Sequence, residues 1–300
     1  MVTVTNNLDN RTKQWNQTIK ESSKNVKSWG DEFTDSFKKV VQFGSITAII
    51  GAVTQGIREA VSIVKEFDDT LTEFKKVSDL SGDSLTEYTK KLGEMGQEVA
   101  RTREEMVASA GEFVKSGYSE EDAAQLSRIA ELYRNIADEA ITSGDSASFI
   151  ISQMKAFSND TEAFAEHTIN AINNVSNNMS VSSSDISSAL SKTSSAMSAL
   201  GNSFDQTVAL VTAGTEIMSG QASKVARGLR TIGNNIANLA QQSNVLEISV
   251  GGVTKQISLL DSETGDIRNT FDILQDIYTN GWDEMTNAEQ QALAISSAGY

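Results

Sequence analysis

Apolar residues recur along most of the chain at alternating intervals of three and four, the spacing of one buried face of an α-helix. The clearest stripes run from Ile186 to Leu200, from Phe204 to Met218 and from Val225 to Leu239. Further stripes run from Leu85 to Val99 and from Leu126 to Ile136. The pattern therefore predicts a mainly α protein that folds as a multi-helix bundle.

Helix boundaries are marked by capping residues. Ser182-x-x-Asp185 and Ser203-x-x-Gln206 fit capping boxes, in which a hydroxyl and an acid or amide satisfy the free N–H groups of a first turn. Gly117 is predicted to end one helix, and Ser119 to begin the next. Asn159 and Asp160 are predicted to cap the helix that follows them.

The pattern changes after Gln242. The segment ISVGGVTKQISLL alternates with a period of two around Gly251-Gly252, which predicts a small β-hairpin near residues 246–259. A helix containing Phe271 and Ile277 is expected next. Thr286-x-x-Glu289 opens a last helix, and we expect the natural sequence to continue beyond Tyr300.

The first 65 residues carry a longer, heptad-like stripe between Leu8 and Val40. The apolar segment 40–57 is predicted to fold back on it as a long helical hairpin, with a coiled coil as the other arrangement. Both an intramolecular core and an oligomer seam fit the stripe. Its predicted helix–helix interaction residues are Trp15, Ile19, Val26, Trp29, Phe33 and Phe37.

Three domains follow from these patterns. Residues 1–65 form the amino-terminal helical segment, residues 66–242 a helical core domain, and residues 243–300 the β-hairpin with its flanking helices. The chain contains no proline, although average usage predicts about 15 in this length. Since proline interrupts helices, its absence favours long uninterrupted ones.

Charge is unevenly distributed. Residues 1–65 hold 9 basic and 6 acidic side chains, whereas residues 66–300 hold 16 and 34, within a net charge of −15. Such an acidic body repels phosphates, so we expect protein partners and no sequence-specific nucleic acid. Segment 40–57 reaches the lower limit of a membrane span but contains Gln42, Gln55 and three glycines, which favours a buried helix.

Candidate chemistry is sparse. With no cysteine and one histidine, His167, a zinc site is improbable. No nucleophile or metal motif accompanies His167, so a structural role is favoured. Asp261–Asp266 departs from the spacing of a calcium loop, and an ordinary polar loop is favoured. The paired acids Glu104-Glu105 and Glu120-Glu121-Asp122 are interpreted as helix caps. We therefore predict no catalytic residue, no metal site and no cofactor.

The order of several segments resembles the phage tail tape measure family. EEMVASAGEFVKSGYSEEDA is similar to the family's helix, glycine and next helix start. The most specific stretch is INNVSNNMSVSSSDISSALSKTSSAMSALGNSFDQTVALVTAGTEI, followed by VARGLRTIGNNI. The resemblance runs from Phe67 to about Leu239, and TFDILQDIYTNGWDEMTNAEQQALAISSAG resembles a downstream segment. Each motif alone is weak, and their order carries the resemblance.

The resemblance implies a non-enzymatic virion assembly protein that occupies the tail tube lumen, sets tail length and leaves during DNA ejection. Implied partners are the tail tube protein, tail assembly chaperones and other tail tip proteins, with self-association and host membrane contact during ejection. Implied locations are the virion tail and, during assembly, the host cytoplasm. The alternative is a membrane-inserting pore former that uses segment 40–57; an enzyme is the weakest hypothesis.

Overall fold

The structure is a computed structural model that describes residues 66–137 and 139–298, with the backbone alone for residues 295–298. Eleven helices make up 70% of the described residues, and a two-stranded antiparallel sheet accompanies them. The predicted mainly α fold with a small hairpin is therefore confirmed. The amino-terminal predictions lie outside the described residues: the hairpin or coiled coil over 1–65, its apolar stretch 40–57, and Trp15, Ile19, Val26, Trp29, Phe33 and Phe37.

The elements follow one another with short connections. Helix α1 covers residues 66–75 of the described part. The remaining helices are α2 (Gly82–Glu98), α3 (Arg103–Lys115), α4 (Glu120–Ile136), α5 (Ser143–Ala156), α6 (Glu162–Asn178), α7 (Ser183–Ala199), α8 (Phe204–Ile217), α9 (Ala222–Ala240), α10 (Thr270–Thr279) and α11 (Asn287–Ala298). Strands β1 (Val245–Val250) and β2 (Val253–Ser258) precede α10, and a 3₁₀ turn (Trp282–Glu284) follows it.

Most predicted caps are confirmed. Ser182 accepts a hydrogen bond from the Asp185 N–H, and Ser203 forms a reciprocal capping box with Gln206. Gly117 adopts φ +92° where α3 ends. The cap of α6 was predicted wrongly: Thr161 Oγ1, rather than Asn159 or Asp160, accepts from the Phe164 N–H at 3.2 Å. Asp160 pairs with Lys155 at 3.1 Å instead.

The described residues divide into two compact units. Unit 1 contains residues 66–151 and Thr161–Asn174, and unit 2 contains Ser152–Asp160 and residues 175–298. In unit 1, α3 packs against both α2 and α4. Its core consists of large side chains, among them Leu92, Met106, Phe113 and Ile129. Phe74 stacks on Tyr88 with ring centroids 5.5 Å apart.

In unit 2, α7, α8 and α9 pack against one another. Small residues let these helices approach closely. A Cβ on Gly214 of α8 would lie 2.5 Å from Val225 Cγ1 of α9. A Cβ on Gly233 of α9 would overlap Leu200 Cδ1. The predicted stripe residues Ile186, Leu190, Thr193 and Met197 are all buried.

A second cluster of unit 2 surrounds the hairpin. The strands pair from Val245–Ser258 to Val250–Val253, and Gly251 and Gly252 both adopt positive φ (58° and 80°) in the two-residue turn. Only glycine adopts this conformation without strain, which explains the pair. The buried cluster consists of Ile236, Ala240, Ile248, Val250, Ile257, Leu259, Ile273, Ile277, Met285 and Leu293, from α9, both strands, α10, α11 and their connections. None of the helices in the described part of the chain is long and apolar enough to cross a membrane.

Candidate functional site

The most strongly charged interior position lies in unit 1, where Glu131 of α4 is completely buried. Arg134 Nη1, one turn later, lies 2.5 Å from Glu131 Oε2 and 2.9 Å from Glu105 Oε1. Arg101 approaches the same two carboxylates, with Nε 3.5 Å from Glu131 and Nη1 3.6 Å from Glu105. Two arginines and two glutamates therefore form one charge cluster, in which Glu131 is fully buried and the other three side chains are partly exposed.

Local structure explains how these side chains meet. Arg101 lies in the tight turn after α2, where its N–H donates to the Gly96 carbonyl at 2.8 Å. Glu105 is the third residue of α3, and its carboxylate returns to the Thr102 N–H at 2.9 Å in a capping box. Arg134 Nε donates to the Ile141 carbonyl at 2.7 Å. The cluster thereby joins the start of α3, the last turns of α4 and the turn before α5.

The two carboxylates titrate differently. Burial raises the pKa of Glu131, against the hydrogen bonds from Ser143 and Arg134 that lower it. At Glu105 burial acts in the same direction, but the Thr102 N–H, Arg134 and Arg101 outweigh it and lower the pKa. Both carboxylates are committed to guanidinium groups. The cluster holds helices together, and the completely buried Glu131 does not face a substrate as a general acid or base must.

An open cavity of about 430 Å³ adjoins the cluster, lined by Glu104, Glu105, Arg134, Ala108 and residues 140–144. Burial and the nearby charge of Glu66 raise the pKa of Glu104, while Thr70 donates to it at 3.4 Å. His167 is half-buried on α6 and does not line this cavity. The structure therefore does not bring the histidine and these acids together around it.

The acid pairs singled out in the sequence lie where caps were predicted. Glu104 and Glu105 occupy the first turn of α3, and Glu120, Glu121 and Asp122 occupy the first turn of α4. Ser119 Oγ accepts from the Asp122 N–H at 3.1 Å. Carboxylates at these positions interact favourably with the helix dipole. These positions confirm the interpretation of the acids as helix caps.

The Asp261–Asp266 loop is closed by its own backbone. Asp261 Oδ1 accepts from the Glu263 N–H at 2.9 Å and from the Thr264 N–H at 2.8 Å. These hydrogen bonds, with the nearby charge of Arg268, lower the pKa of Asp261. The carboxylate serves the turn, as expected of an ordinary polar loop. Within residues 66–137 and 139–298, no group of three or more His, Asp or Glu side chains could hold a metal ion.

Sequence reasoning missed the charge cluster. Glu131 lies opposite the apolar stripe of α4, a position that normally faces water. The one local signal was its spacing of three from Arg134, since Arg101 and Glu105 lie about 30 residues away in sequence. Such a spacing is also common on exposed helix faces, so it does not predict burial.

The fold and the site together describe a protein of packed helices, in which the charge cluster around Glu131 holds helices to one another. A family model described as phage-related minor tail protein matches residues 89–299, and the chain belongs to this family. Membership supports a structural role in the phage tail, among proteins that are typically not enzymes. No solved structure matches this chain at a significant level.

Proposed function

We propose that this protein is a tail tape measure that occupies the lumen of the tail tube, sets tail length during virion assembly and leaves during DNA ejection. The supporting observation is where the family-like motifs lie. The segment SVSSSDI spans the capped start of α7, and the Ala-Leu-Gly motif forms the turn after it, with Gly201 at φ +79°. The Ala-Gly-Thr-Glu motif forms the last turns of α8. Motifs that resemble tape measures therefore coincide with helix junctions inside the family match.

The ruler role has a physical basis in helix geometry. An α-helix advances about 1.5 Å per residue, so helical chain converts residue number into distance. The direct test changes the number of helical residues in the encoding gene. An in-frame insertion of about 35 helix-forming residues should lengthen tails by roughly 50 Å, measured by electron microscopy.

A control substitutes an equal number of residues with another helical sequence, which should leave tail length unchanged. Tails of normal length after the insertion, with normal infectivity, would refute the ruler role while leaving membership of the tail family intact.

In this proposal residues 1–65 form an interaction segment, residues 66–242 the helical core domain, and residues 243–300 a hairpin-containing domain. The interaction segment binds tail assembly chaperones, the tail tube protein or other tail tip proteins through Trp15, Ile19, Val26, Trp29, Phe33 and Phe37, and also supports self-association. Large aromatic side chains are typical anchors of such interfaces. We expect Trp15→Ala/Trp29→Ala to reduce capture of purified chaperone and tube protein at least tenfold. The matched variant Lys13→Ala/Lys24→Ala should bind normally.

The membrane-inserting alternative makes a distinct prediction. A pore former that uses segment 40–57 would release dye from liposomes at low protein dose, without any tail protein. A tape measure is expected to bind tail proteins and to cause no such leakage on its own, although host membrane contact during ejection remains part of the proposal. Efficient leakage that is abolished by Ile49→Lys would favour the pore former.

A further inference from the structure

The exposed face of α9 differs from every other helical surface that the structure describes from Gly82 onward. Lys224, Arg227 and Arg230 lie on it at intervals of three, and all three are exposed. The helix contains no acidic residue. Lys192 of α7 extends the row, because its Nζ lies 2.7 Å from Ser223 Oγ at the start of α9. We call these four cations the α9 basic row.

The cations of this row have no carboxylate partner within the described chain. The other basic residues of unit 2 do: Lys155 lies 3.1 Å from Asp160, Lys255 3.9 Å from Glu284 and Arg268 2.7 Å from Asp276. In a protein of net charge −15, carboxylates are abundant. Four unpaired cations on one face therefore leave an electrostatic surface that a separate acidic surface would complement.

Helix physics makes the position of Lys224 unfavourable for the isolated fold. Lys224 lies in the first turn, where the helix dipole favours negative charge. Each other helix from α2 to α11 has an acidic residue there, for example Asp185 in α7 and Asp205 in α8. Within the described chain Lys224 Nζ donates to the neutral side chain of Gln221 at 2.6 Å, so its positive charge is not offset there, and we infer that the charge serves binding.

Gly228 is a second, independent anomaly on the same face. It lies in the interior of α9, where glycine weakens a helix relative to alanine. A Cβ at Gly228 would meet nothing within 4 Å, whereas the buried Gly233 of the same helix is in contact with Leu200. Packing within the molecule therefore does not require glycine at 228. A glycine among exposed cations does allow another backbone to approach the helix closely.

We propose that the α9 basic row docks onto the acidic unit 1 of a second copy of this chain. The described part of unit 1 holds 20 acidic and 9 basic residues, whereas α7–α9 with their connections, residues 183–240, hold 3 and 4. One chain therefore carries both complementary surfaces. Nucleic acid is disfavoured as the occupant, because the acidic remainder of the molecule repels phosphates.

Such a contact is head-to-tail, since it joins two different surfaces. Repeated contacts of this type form rings or open chains of copies rather than a symmetric pair. This inference is independent of the tape measure proposal, because either can fail without affecting the other. It makes a specific prediction: a copy without the basic row can still bind an intact copy, because its own acidic unit 1 is unchanged.

The test uses the full chain in sedimentation velocity and fluorescence binding at 50 and 500 mM NaCl. The wild type should self-associate in a concentration-dependent manner that weakens at the higher salt. The variant Lys224→Gln/Arg227→Gln/Arg230→Gln should weaken self-association roughly tenfold or more. The matched variant Lys75→Gln/Lys90→Gln/Lys91→Gln removes three exposed cations from unit 1 and should associate as well as the wild type or better.

Mixing the variants distinguishes the geometry. Labelled row variant titrated with unlabelled wild type should bind, whereas row variant titrated with itself should not show this salt-sensitive binding. Gly228→Ala should also weaken association while the helical circular dichroism is retained. A wild type that stays monomeric at both salt concentrations would overturn the proposal. So would salt-sensitive self-association that the row variant leaves unchanged, or salt-sensitive binding of a DNA duplex that is lost in the row variant.

Discussion

Unit 1 and the α7–α9 part of unit 2 are both packed helices, but they are held together by different means. Unit 1 packs large side chains such as Phe113 and Met106, and adds the charge cluster around the buried Glu131. The α7–α9 helices also bury large side chains such as Ile186 and Phe204, but they add buried serine and threonine and approach closely at Gly214 and Gly233. Their cations lie exposed and have no carboxylate partner within the described chain. Unit 1 thus buries part of an ion-pair cluster, whereas α7–α9 leave their few cations at the surface.

The difference follows from size and dielectric. A buried charge such as that of Glu131 must be paired, because an unpaired charge in a low-dielectric interior is costly. The close approaches at Gly214 and Gly233 leave no space for added atoms, and Thr207 and Thr215 donate their hydroxyl groups to backbone carbonyls. We therefore expect unit 1 to be sensitive to the loss of a charge, and α7–α9 to be sensitive to added volume.

The largest effect should come from Arg134→Met, which removes the main partner of the buried Glu131. Breaking a buried ion pair from one side leaves an uncompensated charge and typically costs about 3–5 kcal/mol. We expect a loss of this size in the free energy of unfolding, measured by urea denaturation with circular dichroism. Arg128→Met on the same helix is the control, because Arg128 pairs with the half-exposed Glu162 and Glu166. That change should cost roughly 1 kcal/mol or less.

The stability loss in Arg134→Met should also depend on pH. Glu131 already has a raised pKa because it is buried, and loss of Arg134 should raise it further. A carboxyl group whose folded pKa lies above its unfolded value favours folding when protonated, and this benefit is lost as pH rises through the folded pKa. The deficit of Arg134→Met should therefore shrink as pH falls from 7 toward 4. A deficit that stays constant with pH would contradict a buried charge as its cause.

The next effect should come from volume added between α8 and α9. In Gly214→Ala the new methyl group would lie 2.5 Å from Val225 Cγ1, and a β-branched residue in a helix has little rotamer freedom to move away. Overpacking of this kind typically costs about 1–3 kcal/mol. Gly228→Ala is the matched control, since its methyl group has open space and alanine should stabilise the helix by up to about 1 kcal/mol.

Thermal unfolding of the two alanine variants should therefore shift in opposite directions. Equal shifts would mean that the close approach at Gly214 contributes nothing, and would remove the contrast drawn here between the two units.

The helices themselves were predictable, because a period of 3.6 residues and a cap are both local properties. The capping box of Ser203 and Gln206 predicted the start of α8 at the correct residue. The positions that failed depend on distant neighbours. The predicted stripe from Leu85 to Val99 includes Met95, which is only half-buried. Gly96 is buried instead, because the backbone of Arg101 and the side chain of Met106 lie against it. Glu131 is buried because α4 is covered both on its apolar stripe and on the opposite side. The apolar pattern of α4 predicts only the first of these contacts.

The site was less predictable than the fold for the same reason. Its cations and carboxylates come from three segments. Sequence spacing links Glu131 with Arg134 and Arg101 with Glu105, but it does not link one pair with the other. The presence of an α9 basic row could be predicted from the sequence, since α9 contains basic residues and no acidic ones. That these cations have no carboxylate partner among the described residues is visible only in the folded structure.

The smallest effect separates two glutamates that hold the same position in different units. Glu105 and Glu289 each occupy the third residue of a capping box, with Thr102 and Thr286 respectively. The second partner of Glu105 is Arg134. Glu289 instead accepts from Ser249 Oγ at 2.6 Å and from the Gly252 N–H at 2.9 Å, and so joins the hairpin turn to α11. Ser249 and these backbone donors lower its pKa from 4.5 to about 2.

A lowered pKa means that the ionised form of Glu289 favours folding. Its contribution is present above the unfolded value of 4.5 and is lost as pH falls through the folded value of about 2. Because Glu289 is exposed, we expect a small effect: Glu289→Gln should lower the midpoint of thermal unfolding slightly at pH 6 and hardly at all near pH 2. Ser249→Ala should raise the pKa of Glu289, measured by carboxyl carbon NMR, and leave Glu105 unchanged. A carboxyl resonance of Glu289 that titrates near 4.5 in the wild type would show that α11 is not joined to the hairpin by this side chain, and unit 2 would then lack the counterpart of the Glu105 linkage in unit 1.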